Sequence, residues 1–144
     1  MDNKISLIIP AKNERESLEV VLSELKNNPF VGEIILVVDS KEDNSIPIAE
    51  KFNCNIIIQQ KKGYGSAIIE GFNNASYKFG CIFNADYSFD PKYFENLIKL
   101  SKHSDFVFGT RYSKESGSDD DDLITLIGNK IFSFITKYFL NIKL

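Results

Sequence analysis

The sequence predicts an α/β fold, a three-layer sandwich with a mostly parallel central sheet. Short apolar runs rich in β-branched residues alternate with amphipathic stretches over residues 5–110. Several runs are almost continuously apolar, which is typical of parallel strands that helices cover on both faces. Such an alternation indicates right-handed crossovers between parallel strands.

Five strands and four helices are predicted in alternation. The strands are residues 6–9, 33–38, 55–59, 80–83 and 105–108, and the helices are residues 16–26, 45–52, 66–77 and 91–101. In the first helix, Leu18, Leu22 and Leu25 have the spacing of one buried face. Pro91 suits the first turn of the last helix, with Asp90 as its N-cap.

Composition indicates one globular domain that binds any anionic ligand locally. The chain has 144 residues, of which 43% are hydrophobic and 26% charged, with a net charge of -3. No broad basic surface is expected, so nucleic acid is not a predicted partner. Cys54 and Cys81 lack CxxC spacing and are predicted to be buried thiols rather than zinc ligands or a disulfide.

Three regions are predicted along the chain. Residues 1–112 form the core, residues 113–122 form an acidic mobile loop, and residues 123–144 form an amphipathic C-terminal helix. Asp119–Asp122 could bind a cation, but a solvated loop is the commoner outcome for such a run. The chain start has no signal-peptide pattern, and no run reaches the roughly 18 apolar residues of a membrane span. We therefore expect a cytoplasmic protein whose residues 123–144 can lie on the cytoplasmic face of a membrane.

Polar clusters follow each predicted strand, at the edge where the carboxyl ends of parallel strands meet and where α/β proteins bind ligands. We therefore expect them to form one site. The clusters are Ala11–Glu14, Asp39–Asp43, Lys61–Gly65, Asn84–Asp86 and Thr110–Arg111.

Each cluster has a functional and a structural interpretation. Asn84 and Asp86 could together hold Mg²⁺, or they could form a strand-ending turn with an Asx cap. Asp39 could accept a hydrogen bond from a base or a ribose, or cap a helix or turn. Lys62–Ser66 could cradle a phosphate, or be a plain glycine turn before a helix. Arg111 could hold a phosphate, or form a surface salt bridge.

Taken in order, these motifs resemble the family 2 glycosyltransferases of GT-A (Rossmann-like) fold. Within that family they are most similar to the polyprenyl-phosphate or dolichol-phosphate mannose and glucose synthases. The motifs that carry the resemblance are Ile9–Glu14 (IPAKNE), Val37–Asp43 (VVDSKED), Lys62–Phe72 (KGYGSAIIEGF), Phe83–Pro91 (FNADYSFDP) and Gly109–Tyr112 (GTRY).

The resemblance implies roles for individual positions. Asp86 would bind the metal, Mg²⁺ or Mn²⁺, with Asn84 as a neutral ligand in place of the first acid of an Asp-x-Asp motif. Arg111 would hold a phosphate, with help from Lys62. The remaining donor-binding positions are Pro10, Ala11, Asn13, Glu14, Asp39, Gly63 and Ala85. The family's synthases continue past this core, so we expect the chain to be a truncated piece that ends in the first helix of an interfacial or acceptor region.

The implied reaction transfers a hexosyl group from GDP-mannose or UDP-glucose to a polyprenyl or dolichyl phosphate, with inversion and with metal. A phosphate acceptor has its second pKa near ~6 and needs no strong base. One alternative is a glycosyltransferase with a sugar or small hydroxyl acceptor, for which Asp90 or an aspartate of 119–122 would be the catalytic base. Another is a non-catalytic domain that binds nucleotide sugar. The base, the sugar and the oligomeric state stay open.

Overall fold

A parallel sheet with helices on both faces forms the frame of the larger part of the chain. The computed structural model describes residues 3–109 and 123–139. The chain divides into two units, Met1–Val107 and Phe108–Leu144, and the first contains the sheet. The strands are β1 (Ile5–Pro10), β2 (Val31–Val38), β3 (Asn55–Ile58) and β4 (Phe79–Ile82). The helices are α1 (Arg15–Leu25), α2 (Ile46–Lys51), α3 (Tyr64–Asn73), α4 (Phe94–Ser101), which follows a 3-10 turn at Pro91–Tyr93, and α5 (Leu123–Phe139).

The sheet has the strand order β3-β2-β1-β4, and all neighbouring strands are parallel. From β1 the chain passes to β2 and β3 on one side, and then returns through α3 to β4 on the other side of β1. The predicted α/β class and four of the predicted strands are therefore confirmed.

Helices cover both faces of the sheet, as the buried strand sequences predict. On one face, Leu7 and Ile9 of β1 belong to a cluster with the apolar side chains of α1, α2 and α4. On the other face, Ile8 and Ile35 pack with Ala67 of α3. The predicted three layers are confirmed.

Helix α1 contributes most to the larger cluster. Its four buried apolar residues are each at most 2% exposed, and burial of one such side chain stabilises the fold by about 1.5–3 kcal/mol. They are Leu18, Val21, Leu22 and Leu25. Helix α3 approaches the opposite face closely because Gly71 has no side chain, and a Cβ there would overlap the side chain of Ile8.

The fifth predicted strand, Asp105–Phe108, is wrong. Residues 105–108 form no strand in the part of the chain that the structure describes, although they follow α4 as expected. The side chains of Phe106 and Phe108 are 80% and 84% exposed, so neither ring is buried against a sheet face. Alternating aromatic residues are typical of a half-buried strand. A strand also needs an adjacent strand to accept and donate its backbone hydrogen bonds, and the pattern does not show whether one is present.

A carboxylate at the amino edge of the sheet ties three segments together. Glu33 of β2 accepts hydrogen bonds from the Ser6 hydroxyl at 2.6 Å, the Ser76 amide at 2.6 Å and the Asn55 side chain at 3.0 Å. The Ser6 oxygen in turn accepts from the Tyr77 amide at 3.1 Å. Burial raises the pKa of Glu33, but the hydrogen bonds from Ser6, Ser76 and Asn55 outweigh it and hold that pKa below its ordinary value.

The same bonds explain why α3 is shorter than predicted. A helix is expected over residues 66–77, but α3 ends at Asn73. The amides of Ser76 and Tyr77 donate to Glu33 and Ser6, so they are not available to an extended helix. A side chain distant in sequence therefore sets this boundary.

We expect Glu33→Gln to lower the free energy of unfolding by about 1–3 kcal/mol, because an amide replaces one acceptor oxygen with a donor that faces other donors. Urea unfolding measures this loss. Since the folded-state pKa of Glu33 is lowered, its contribution is present at neutral pH and is lost as pH falls through that lowered value. The variant should therefore lose less stability than the wild type between neutral and acidic pH.

The matched control is Glu24→Gln, which changes an exposed glutamate of α1 and should leave the stability nearly unchanged. Equal stability of Glu33→Gln and wild type at neutral pH would contradict a stabilising role for this carboxylate.

Candidate functional site

The loops that follow the strands start from one edge of the sheet. Hydrogen bonds of the sheet continue past the strand ends, from Ala11 N to Val37 O, Gln59 N to Val38 O and Phe83 N to Ile8 O, each at 2.9 Å. The loops after these four strands therefore leave the sheet next to their neighbours.

The loop after β1, residues Ala11–Glu14, is held by the loop after β2. The Asn13 amide donates to both carboxylate oxygens of Asp43, at 3.2 and 3.0 Å. The Glu14 amide donates to the Ser45 hydroxyl at 2.9 Å, and the Ser45 amide donates to Asp43 at 2.8 Å. Asn13 has φ 58°, a left-handed conformation that asparagine tolerates better than most residues.

The sequence assigns no individual role to Asp43 or Ser45, although Asp43 ends the predicted cluster Asp39–Asp43. Both are buried, at 4% and 0% exposure, and both lie next to α2. Their local sequence is typical of a helix start, which explains why it did not indicate a longer-range role. The one available signal was a carboxylate and a hydroxyl two residues apart in the loop that must lie beside Ala11–Glu14.

Asp39 lies at the end of β2, where it was predicted, and pairs with Lys12. The Lys12 ammonium lies 3.0 Å from an Asp39 carboxylate oxygen, and the Asp39 side chain is 25% exposed. Asp39 does not cap α2, because that helix follows Ser45. A partly exposed carboxylate at this edge can accept hydrogen bonds from a ligand that displaces or joins the lysine.

The glycine-rich loop leads directly into α3. Gly63 has φ 120°, a conformation that strongly favours glycine, and α3 begins at the next residue. The loop before it is held by Glu70, whose carboxylate accepts from the amides of Gln60 and Lys61 at 2.8 and 3.2 Å. These bonds lower the pKa of Glu70. The exposed Lys62 follows this braced segment, in a place where its ammonium can meet an anion.

The tripeptide Asn84-Ala85-Asp86 follows β4 and forms the predicted turn. The Asp86 carboxylate accepts from the Ser88 amide at 3.0 Å, which is the bond of an Asx turn. The Asn84 side chain accepts from the Tyr64 hydroxyl and donates to the Ser88 hydroxyl, both at 3.1 Å. Ala85 is only 4% exposed, so it anchors the turn in the core.

The Tyr64–Asn84 bond joins loops from opposite edges of the sheet. Tyr64 begins α3, which follows the edge strand β3, whereas Asn84 follows the other edge strand, β4. Asp43 links the loops after β1 and β2 in the same way. The four loops are therefore joined in two pairs, both at the carboxyl ends of the strands.

The residues near Asp86 suit a metal that is shared with a ligand. No group of three or more His, Cys, Asp or Glu side chains that could hold a metal occurs within residues 3–109 and 123–139. Asp86 and Asn84 offer hard oxygen atoms, and Mg²⁺ is commonly bound by one or two carboxylates together with phosphates and water. The donor set therefore fits a divalent cation that binds with a diphosphate.

Asp90 has the predicted capping role. Its carboxylate accepts from the Lys92 amide at 2.9 Å and forms an ion pair with the Lys92 ammonium. The side-chain and backbone hydrogen bonds of Lys92 hold the pKa of Asp90 below its ordinary value. Such a carboxylate is a weak base, which argues against the alternative reaction with a hydroxyl acceptor.

A polar groove adjoins the first loop. It has a volume of about 580 Å³ and is lined by Asn13, Glu14, Arg15, Glu16, Ser17, Asn44 and Tyr87. It therefore includes two predicted substrate-binding residues and runs towards the turn at Asp86. Thr110, Arg111, the acidic loop 113–122 and residues 140–144 lie outside the described residues.

Sequence comparisons identify relatives over most of the chain. The family model described as "Glycosyl transferase family 2" matches residues 6–144. A dolichol-phosphate mannosyltransferase of Pyrococcus furiosus is 37% identical over 77% of this chain and 34% of that protein. An uncharacterized glycosyltransferase of Mycobacterium bovis is 30% identical over 74% of this chain and 48% of that protein. The chain thus spans about a third to a half of the length of these relatives.

Solved structures share the fold. Glucosyl-3-phosphoglycerate synthase of Mycobacterium tuberculosis, in complex with Mg²⁺ and UDP, matches with a TM-score of 0.58 and 18% identity, over 68% of this chain and 39% of that chain. Mannosyl-3-phosphoglycerate synthase of Rubrobacter xylanophilus matches with a TM-score of 0.55 and 17% identity, over 62% and 33%. The GT-A fold is therefore confirmed.

We expect Glu70→Gln to loosen the segment before the glycine turn, since its amides lose a charged acceptor. Hydrogen exchange of the Gln60 and Lys61 amides should accelerate by about two- to tenfold, the effect of weakening one hydrogen bond. NMR measures both amides individually. Exchange in β1 should stay unchanged, and Glu50→Gln on the exposed face of α2 is the matched control. Unaltered protection at both amides would show that Glu70 does not brace this loop.

Proposed function

Because the chain belongs to the family 2 glycosyl transferases, we propose that it is the donor-binding core of a metal-dependent hexosyltransferase. In this proposal the hexosyl group of GDP-mannose or UDP-glucose passes to a polyprenyl or dolichyl phosphate, with inversion at the anomeric carbon. The observation that carries the proposal is the 37% identity to a dolichol-phosphate mannosyltransferase, together with the two linked pairs of loops at the carboxyl ends of the strands.

The first two loops would bind the nucleoside. Asp39 is a partly exposed carboxylate at the end of a rigid strand, and it can accept from a base N–H or a ribose hydroxyl. Asn13 and Glu14 lie in the loop beside it and line the polar groove. Pro10 and Ala11 connect this loop to β1, which fixes where the loop starts. This arrangement is suited to a flat polar ligand that lies across the strand ends.

The other two loops would bind the diphosphate. Lys62 and Gly63 directly precede α3. The Lys62 ammonium and the backbone N–H groups at the helix N-terminus both favour an anion there. Arg111 would add a second cation. Asp86, with the Asn84 carboxamide as a neutral partner, would hold Mg²⁺ or Mn²⁺. When bound, the metal would neutralise the negative charge that develops on the diphosphate as it leaves.

The acceptor supplies its own nucleophile in this reaction. An oxygen of the lipid phosphate forms the new bond to the anomeric carbon, and the bond from that carbon to the diphosphate oxygen breaks. The nucleoside diphosphate leaves with the electron pair. Because a phosphate monoester is largely ionised at neutral pH, no general base is required. The low pKa and ion pair of Asp90 are consistent with a site that does not use a base there.

We expect Asp86→Ala to reduce hexosyl transfer to dolichyl phosphate by at least about a hundredfold, because one strong electrostatic contact to a leaving group is worth about 2.7–4 kcal/mol. Transfer from radiolabelled GDP-mannose and UDP-glucose, with Mn²⁺ present, measures this loss. Asp86→Asn should lose most of the activity as well, since the metal would then have no charged ligand among the two.

The matched control is Asp105→Asn, which changes an exposed aspartate after α4. Near-normal turnover by Asp86→Ala would contradict the metal role. Wild-type transfer to glycerol phosphates or sugars but not to lipid phosphate would favour the alternative acceptor, and nucleotide-sugar binding without any transfer would favour a non-catalytic domain.

Helix α5 would contact the membrane that holds the lipid acceptor. No described helix is long and apolar enough to cross a bilayer. The described side chains of α5 are nevertheless largely apolar and exposed, with Phe132 and Phe134 each 66% exposed and Tyr138 75% exposed. A helix with exposed aromatic residues and flanking lysines such as Lys137 is suited to lie at the surface of a membrane.

We expect residues 1–144 to partition onto liposomes containing anionic lipids, and Ile131→Ser with Phe134→Ser, two exposed residues on one face of α5, to reduce this by at least about tenfold. Burial of one such side chain is worth about 1.5–3 kcal/mol, so the loss of two should be readily measured by sedimentation. Ser133→Ala, which lies between them, is the control. Equal partitioning with and without residues 123–144 would contradict the membrane contact.

A further inference from the structure

A buried carboxylate beside the proposed donor site has no role in the reaction described above. Asp43 is only 4% exposed, and burial of a carboxylate is costly unless strong hydrogen bonds compensate for the lost hydration. Its partners are two backbone amides, those of Asn13 and Ser45. Ser45, which is also buried, accepts from the Glu14 amide. The loop after β1 is therefore held through consecutive amides.

We propose that Asp43 is a positioning residue for nucleotide binding, which acts by holding Asn13 and Glu14 in place above the strand ends. The inference rests on the proposed function, because it assigns the use of the same site. Asp43 itself would not touch the nucleotide.

The backbone conformation of Asn13 explains why such a residue is needed. A left-handed residue is less favourable than an extended or helical one unless its surroundings fix it. Both Asp43 oxygens receive the Asn13 amide, so the carboxylate favours this conformation directly. Without it, the loop could adopt ordinary backbone angles, which would turn the Asn13 and Glu14 side chains away from the groove.

The same loop carries the ion pair to Asp39. Lys12 precedes Asn13, and its ammonium contacts the Asp39 carboxylate. A shift of the loop would therefore change the approach to Asp39 as well as the positions of Asn13 and Glu14. One buried carboxylate thus fixes the relation between the loops after β1 and β2 that would share the nucleoside.

Binding of GDP and UDP with Mn²⁺, measured by calorimetry, tests the inference together with hydrogen exchange of the Asn13 and Glu14 amides. For the nucleotide that wild type binds, Asp43→Ala should raise Kd at least about tenfold, because the Asn13 amide loses its acceptor. Asp43→Asn keeps one acceptor oxygen and should fall between Asp43→Ala and wild type. Ser45→Ala should accelerate exchange of Glu14 more than of Asn13.

Glu50→Gln is the matched control, an exposed glutamate of α2 whose change should leave Kd and exchange unaltered. A merely structural Asp43 would lower the free energy of unfolding and leave Kd of the folded protein unchanged. Should Asp43→Ala fail to fold, Asp43→Asn and Ser45→Ala decide the question by the same two measurements. Wild-type Kd in these folded variants overturns the role of Asp43 alone. Wild type that binds neither nucleotide overturns the proposed function and, with it, this use of the loop.

Discussion

The reversal of strand order across β1 is the constraint on which the rest of the structure depends. The chain first builds β2 and β3 on one side of β1 and then adds β4 on the other side. The loops after β1 and β4 leave the sheet from adjacent strand ends, since Phe83 N donates to Ile8 O at 2.9 Å, and the carboxyl ends at such a reversal are where open α/β sheets bind ligands. Ala11–Glu14 follow the first of these strands and Asn84–Asp86 the second, which makes the two loops natural parts of one site.

Two carboxylates stabilise opposite edges of this sheet by the same chemistry. Glu33 at the amino edge and Asp43 at the carboxyl edge both accept backbone amides from segments distant in sequence. The consequences differ because of position. At the amino edge the bonds end α3 and fix a scaffold, whereas at the carboxyl edge they set the shape of a loop that lines a groove.

Sequence alone gave a reliable view of the elements that depend on local periodicity. Helix α1 has a clear apolar face, and β1 and β2 are nearly continuous apolar runs, so their positions could be predicted within one or two residues. The error at residues 105–108 has a different cause. An exposed extended segment and a half-buried strand can show the same alternation of aromatic residues, so the sequence does not distinguish them. Strand ends such as Asp39 were also predictable, since they follow directly from the strands.

The residues that hold the site together were less predictable. The sequence around Asp43 is typical of a helix start, and Glu70 lies within a predicted helix, so neither residue indicates a contact with another loop. Their amide partners become evident only in the folded structure. Tyr64 was likewise assigned no role, although its hydroxyl reaches Asn84. Periodicity reports which face of an element is buried, but it carries no information on hydrogen bonds between loops of different strands.

The asparagine at position 84 has a structural consequence that an aspartate would not have. A carboxamide can accept from the Tyr64 hydroxyl and donate to the Ser88 hydroxyl at once, whereas an ionised carboxylate can only accept. Asn84 therefore links α3 to the turn at Asp86 without adding a second negative charge beside it. Less charge weakens the attraction for a free cation, but it also lowers repulsion of an incoming diphosphate. Under the proposed function, such a site would suit a metal that arrives with its nucleotide, and the electrostatic role would fall to Asp86.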